Sequence, residues 1–172
     1  MSELWDVFDQ HRNLTGRTVE RGKPMPPEDF HLVALSWIVG ADNRILLMKR
    51  SPEKEHGGGT WSLPSGSAVA GETSLDAAIR ETHEESGVAL TAENGKLAYQ
   101  YTQSRSGGGY STHYDHWLFH RDVKPEEITF QPGETCGYCF ATFDELFNLI
   151  EQNQCFGFTQ SEVEIIQNQT QQ

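Results

Sequence analysis

Gly66 to Val88 reads GSAVAGETSLDAAIRETHEESGV, and this stretch, which holds four glutamates, joins a glycine-containing lead to a helix with marked ends. Thr73, Ser74 and Asp76 form a helix start, because a threonine hydroxyl and a carboxylate three residues on can satisfy each other's backbone N–H groups. Gly87 ends the helix, since glycine enters the left-handed conformation at low cost. Leu75, Ala78, Ile79 and Thr82 recur on one side. At roughly 100° per residue, Glu81, Glu84 and Glu85 fall within an arc of about 100° elsewhere on the surface. Three carboxylates therefore share a patch.

Such a patch repels itself unless a cation sits in it. A hard divalent ion suits oxygen donors, and magnesium needs only one or two carboxylates when waters and substrate phosphate oxygens complete its octahedron. Arg80 lies one turn before Glu84 and one after Asp76, where it can brace the cluster. A glutamate-rich helix face is by itself more often plain solvated surface. The wider spacing overturns that default.

Gly66, Glu72, Arg80, Glu81, Glu84, Glu85, Gly87 and Val88 fit G-x5-E-x7-R-E-U-x-E-E-x-G-U everywhere except U, a bulky aliphatic position occupied by Thr82. The pattern is that of the Nudix box, and the chain resembles the Nudix hydrolases. A buried Thr82 hydroxyl would need a partner, such as a carbonyl one turn back. In Trp61-Ser62-Leu63-Pro64-Ser65-Gly66, Ser65 replaces the first glycine of the family's Leu-Pro-Gly-Gly. The resemblance implies an α/β fold, an α/β/α sandwich with a mixed sheet. It implies Mg2+, with Mn2+ as a substitute, held by Glu81, Glu84 and Glu85, with the Gly66 carbonyl and Glu72 as further contributors. Arg80 would orient these groups. The general base varies within the family: Glu81 is the first candidate, and Glu134, in Gln131-Pro132-Gly133-Glu134, the second. A plain loop glutamate is the ordinary reading of Glu134.

Glu3-Leu4-Trp5-Asp6-Val7-Phe8-Asp9, Asn13-Leu14-Thr15-Gly16-Arg17 and His31-Leu32-Val33 are similar to the hydrolase branch related to isopentenyl-diphosphate isomerase. The isomerase has a catalytic cysteine shortly before its metal-binding segment. Here that place is Trp61 to Ser65, and no cysteine precedes Cys136. The resemblance thus implies a pyrophosphohydrolase acting on a nucleoside diphosphate derivative or similar small diphosphate. A non-catalytic nucleotide sensor is the alternative class, and an isomerase the third.

Composition agrees with one domain over residues 1–172, since 172 residues with 36% hydrophobic content can bury about two-thirds of the unfolded surface. Thirteen basic and 25 acidic side chains give a net charge of −12, which repels a nucleic-acid polymer but tolerates a small phosphorylated substrate beside bound metal. No apolar run approaches the ~20 residues that span a bilayer, and the start lacks a secretion signal, so the expectation is a cytoplasmic protein without a membrane partner. Three cysteines fit a reducing compartment. Cys136-Gly137-Tyr138-Cys139 runs into Phe140-Ala141-Thr142 like a strand and lacks further zinc ligands, so it is read as structural. A homodimer through sheet edges or the N-terminal segment is compatible with the fold.

Along the chain, Leu4 to Phe8 and Thr18 to Arg21 predict an N-terminal β-hairpin, in an extension over 1–30 packed on the domain. His31 to Val39 and Arg44 to Arg50 predict strands around a turn at Gly40 to Asn43. Ser51 to Thr60 reads as a mobile loop. Lys96 to Gln103 and Tyr110 to Phe119 predict two strands joined by Ser106 to Gly109. Thr142-x-x-Glu145 and Thr159-x-x-Glu162 predict helix starts, with a frayed tail over 167–172. Arg44, Lys49 and Arg50 are candidate phosphate ligands, and Trp61, Tyr101, Tyr110 and Trp117 candidate base stackers. His113, His116 and His120 do not share a strand face, so they are read as surface or half-buried groups rather than a zinc site.

Overall fold

The computed structural model describes residues 2–105 and 109–170. Its strands are β1 (Leu4–Phe8), β2 (Leu14–Glu20), β3 (Phe30–Val39), β4 (Ile45–Arg50), β5 (Trp61–Ser62), β6 (Ser65–Ser67), β7 (Gly95–Gln103), β8 (Ser111–His120) and β9 (Thr135–Ala141). Its helices are α1 (Ser74–Ser86), α2 (Phe143–Glu151) and α3 (Gln160–Thr170).

Strand β3 is the spine. It runs parallel to β8 over its whole length, from Phe30 opposite Ser111 to Val39 opposite His120. Its other edge takes β1 at Phe8↔Phe30, β6 at residues 33–35 and β4 at Val39↔Ile45, all antiparallel. The sheet is therefore mixed. β9 and β5 extend it beyond β4, and β7 beyond β8.

The apolar run of β3 is divided by its twofold alternation between two cores. Leu35, Trp37 and Val39 pack beneath α2 and α3 with Ile45, Leu47, Leu146, Val163 and Ile166. Leu32, Ala34 and Ile38 face the other way, against α1, with Leu46, Met48, Ala77 and Ala78. Helices on both faces of a mixed sheet make the expected α/β/α sandwich.

Both ends of α1 form as their residues dictate. Thr73 and Asp76 build a capping box with both bonds at 3.2 Å, and Gly87 adopts φ 76° while its N–H donates to His83 O at 2.8 Å. The buried face differs from the predicted one: Ala77, Ala78, Thr82, Glu85 and Ser86 are buried, whereas Leu75 and Ile79 are half-buried. Thr82 Oγ1 is enclosed without a hydrogen-bond partner, and the back-bond within this helix is made instead by Ser86 Oγ to Thr82 O at 2.6 Å.

Several expectations need correction. β2 starts at Leu14, so the hairpin is longer than predicted. Residues 51–60 form a loop, as expected, whose ends are tied by Arg50 N–H to Thr60 O, Gly59 N–H to Arg50 O and Ser51 N–H to Glu134 O. The tail is helical as far as Thr170, because Gln169 Nε2 donates to Ala98 O on β7 at 2.8 Å. Of the turn predicted over Ser106 to Gly109, the first three residues lie outside the described residues, as do Gln171 and Gln172.

His113 and His116 are not surface groups; both are fully buried, since β8 is an interior strand between β3 and β7. Trp37 Nε1 donates to His116 Nδ1 at 3.0 Å, which leaves the proton on Nε2, 3.5 Å from Glu162 Oε1 and unbonded. His31 stacks on Trp5 at 4.3 Å. Burial lowers the pKa of His31 and of His116 to about 4. Both stay neutral when folded but charge near pH 6.5 when unfolded, so their contribution is complete above pH 6.5 and falls away between pH 6.5 and 4. Unfolding stability should drop by on the order of 3 kcal/mol per histidine across that window. The variant His31→Gln, His116→Asn should flatten that slope in denaturant titrations; an unchanged slope would disprove the assignment.

Candidate active site

The glutamates of α1 meet the sheet at β6. Ser65-Gly66-Ser67 has no strand-like composition and is extended because β3 pairs with it, Leu35↔Ser65 and Val33↔Ser67. A side-chain carbon at Gly66 would overlap the Glu81 carboxylate, so any other residue there would push that carboxylate out of its present position beside Arg80. Ser65, where the family has glycine, leaves the strand intact, and its N–H donates to Glu85 Oε2 at 3.3 Å.

Arg80 is the hub of the site. Its Nε donates to Glu72 Oε1 at 2.7 Å and its Nη2 to Glu72 Oε2 at 2.9 Å, a bidentate grip. Nη1 reaches Glu81 Oε1 at 2.7 Å and Glu84 Oε2 at 3.3 Å, and Nη2 also donates to Ser67 O at 3.0 Å. These partners hold the guanidinium pKa well above its ordinary value, the Glu72 bonds first among them. Burial alone would raise the Glu72 pKa, but its bonds from Arg80 and the Val69 N–H outweigh burial and keep it low.

The remaining carboxylates are graded by burial. Glu84 is exposed, Glu81 is more enclosed, and Glu85 is only 7% exposed. Burial pushes the Glu85 pKa up to about 8, with the Glu81 charge acting in the same direction and the Ser65 N–H against it. Glu81 is also raised by burial, against the pull of Arg80.

A cleft of about 310 Å3 collects Gly66, Arg80, Glu81, Glu84 and Glu85 with Glu134. It also holds three cations from outside the motif: Arg21 at the end of the N-terminal hairpin, Arg50 at the end of β4, and Lys54 in the following loop. Lys54 Nζ is ion-paired with Glu134, and Arg21 Nη1 with Glu3 Oε2 at 2.8 Å. Arg21 and Lys54 escaped the sequence reading because the turn after β2 and the loop after β4 carry no pattern that aims a side chain at the motif. Arg50 was a candidate there; Arg44 and Lys49 do not line the cleft, and Lys49 sits over Trp61 at 5.3 Å.

Of the candidate stackers, Tyr101 is already stacked on Tyr114 at 4.6 Å, Tyr110 packs against Trp5, and Trp117 bonds Ser74 of α1. All three cysteines are free. Cys139 and Cys155 pack against the α2–α3 core, where burial pushes their pKa values to about 11, and Cys136 lies exposed near the start of β9. No helix among the described residues is long and apolar enough to cross a membrane.

A family model described as the NUDIX domain matches residues 29–157. An uncharacterised Nudix hydrolase of Listeria monocytogenes is 35% identical over 147 residues, 84% of this chain and 82% of its own. Isopentenyl-diphosphate Delta-isomerase of Streptomyces avermitilis is 32% identical over 107 residues, 60% of this chain and 54% of its own. In fold, the chain is similar to a crystal structure of a Deinococcus radiodurans protein with a TM-score of 0.74 at 18% identity, covering 94% of this chain and 98% of that one. The family match covers most of the chain, and the Listeria relative aligns over most of both sequences: the chain belongs to the Nudix family of hydrolases, which act on phosphoric anhydride bonds.

Proposed function

We propose that this protein is a Mg2+-dependent pyrophosphohydrolase that cuts the diphosphate linkage of a nucleoside diphosphate derivative. The carrying observation is the single cleft in which Glu81, Glu84 and Glu85 gather around Gly66 under the grip of Arg80.

The donor set fits a hard cation. It offers carboxylate oxygens and the Gly66 carbonyl, and burial holds the Glu85 pKa up with the Arg50 charge only partly offsetting it, so a cation would favour the ionised form. An open site of one or two carboxylates completed by waters and substrate phosphate oxygens is enough for such an ion. That suits magnesium, which keeps several waters and takes few protein ligands; Mn2+ would substitute. When bound, the ion neutralises phosphate oxygens and lowers the pKa of water.

The chain's own residues do the rest. Arg80 fixes the carboxylates, and Glu72, with both oxygens engaged, serves as its brace rather than as a ligand. Glu81 accepts the proton of the attacking water, with Glu134 the second candidate. The water oxygen bonds to phosphorus as the bond to the bridging oxygen breaks, giving a nucleoside monophosphate and phosphate or a second phosphorylated product. Arg21, Arg50 and Lys54 offset the phosphate charge at the rim. The sensor reading would be favoured by missing motif carboxylates, and all are present. The isomerase reading lacks its cysteine: residues 61–65 contain none, and the three free thiols belong to β9 and the loop before α3. Free thiols also fit a cytoplasmic site of action.

The test is a panel of nucleoside di- and triphosphates, nucleotide sugars, dinucleoside polyphosphates, dinucleotides and isopentenyl diphosphate, incubated with Mg2+ and followed by product release. Mg2+-dependent cleavage absent from Glu85→Gln supports the hydrolase; tight binding without turnover supports the sensor. Glu81→Gln should lower kcat by about 10²–10⁴-fold and Glu134→Gln by less than about tenfold. The reverse order would make Glu134 the base.

A further inference from the structure

Beside the carboxylate cleft lies a second cavity of about 430 Å3, and Val33 and Ser65 line both. Its size falls within the range of small-ligand sites, roughly 300–1,000 Å3. Its lining differs sharply from that of the cleft. The walls are aromatic, with Tyr101, Tyr114, Phe156 and Phe158, and one cation, Arg105, is matched by one carboxylate, Glu162. The lining is thus formally neutral, where the cleft crowds charges of both signs.

Phe156 is the unusual member, a large aromatic left 39% exposed while its backbone is held firmly. Its N–H donates to Trp61 O at 2.9 Å, and Trp61 N–H donates to Gln154 O at 2.8 Å, tying the loop after α2 to β5. The Arg50 guanidinium lies 4.6 Å from the ring centroid and is itself anchored by Nε and Nη2 to His56 O at 3.1 and 3.0 Å. Gly57, at φ 63°, packs so closely that any side-chain carbon there would overlap the ring. The ring is therefore braced by a cation and by glycine backbone, yet it also lines the open cavity. Arg50 joins the two places, since it lines the carboxylate cleft as well.

Resting on the hydrolase reading above, we infer that this cavity is the nucleobase subsite, with Phe156 as its stacking platform. The base and sugar pass Ser65 while the diphosphate stays among the cations and carboxylates of the cleft. A planar heterocycle suits an aromatic face, because every base has a π-face to stack. An isoprenyl chain does not suit it, since the exposed Gln103 and Arg105 would lose water without gaining partners. The Glu162 carboxylate is already engaged by Thr159 Oγ1 at 2.8 Å and by the Thr159 N–H, so it serves the wall and repels a misplaced phosphate.

Calorimetric binding with Mg2+ tests this without turnover, using AMP, GMP, CMP and UMP beside ribose 5-phosphate, which lacks only the base. At least one nucleotide should bind the wild type about tenfold or more tighter than ribose 5-phosphate. Phe156→Ala should erase that difference, Phe156→Trp should keep it, and ribose 5-phosphate affinity should be the same in all three, which also reports intact folding. Equal affinity of base-bearing and base-free ligands, no nucleotide binding, or equal loss of both in Phe156→Ala would overturn the assignment. Cleavage with base discrimination absent would refute the subsite alone, whereas base discrimination without cleavage would refute only the hydrolase.

Discussion

Glu85→Gln is expected to lose Mg2+-dependent turnover by at least about 10³-fold and yet to melt at a higher temperature than the wild type when metal is absent. The first effect follows from removing a charge that the cation requires. The second follows from burial. Glu85 titrates near 8 in the folded chain, above the value near 4.5 of an unperturbed glutamate, so folding at pH 7 holds a proton that the unfolded chain has released. That penalty is absent below pH 4.5 and grows as pH rises to 8, reaching roughly 4–5 kcal/mol. A neutral amide of the same shape escapes it, which for a domain of this size means a Tm rise of roughly 8–16 °C near pH 7.5. Adding Mg2+ should raise the wild-type Tm and leave the variant's unchanged. A variant that is inactive and also less stable in the absence of metal would show that Glu85 is structural, not a charge awaiting a partner.

The same residue marks where sequence reasoning reaches its limit. The caps of α1 were legible because Thr73, Asp76 and Gly87 act on backbone groups within one turn. The arc holding Glu81, Glu84 and Glu85 was legible from helical periodicity, but how deep each lies depends on where β6 crosses the helix. β6 itself has no pattern, since Ser65-Gly66-Ser67 is a strand only through its pairing with β3. Likewise, period two separates His113 from His116, but only the placement of β8 between β3 and β7 buries both. Arg21 and Lys54 come from a hairpin and a loop that meet at the cleft, and Phe156 from an interhelical connection that lines the neighbouring cavity. No local signal distinguishes them from ordinary surface residues.

The cleft reconciles a chain of net charge −12 with an anionic substrate. Arg21 and Lys54 are ion-paired with Glu3 and Glu134, so an incoming phosphate replaces a carboxylate on each cation instead of meeting a bare field. That exchange is electrostatically nearly balanced, so a divalent ion held by the carboxylates would be the main new positive charge.

Arg80 should show that geometry matters more than charge in holding this site together. One guanidinium meets Glu72 with two nitrogens, Glu81 and Glu84 with the third side of its fork, and Ser67 O besides. A lysine ammonium keeps the charge but cannot present parallel donors to Glu72 while reaching Glu81. Arg80→Lys should therefore weaken Mg2+ affinity and kcat/KM by about 10–100-fold, close to the loss in Arg80→Ala, as expected for a group that orients metal ligands. Stability should fall by about 1–3 kcal/mol in the alanine variant, because Glu72 is left partly buried without its partner. Glu72→Gln breaks the same grip from the other side, so the double variant Glu72→Gln, Arg80→Lys should be little worse than either single one. Full activity in Arg80→Lys would mean that the hub acts only as a counter-charge, and additive losses in the double variant would mean that Glu72 contacts the metal or substrate independently of Arg80.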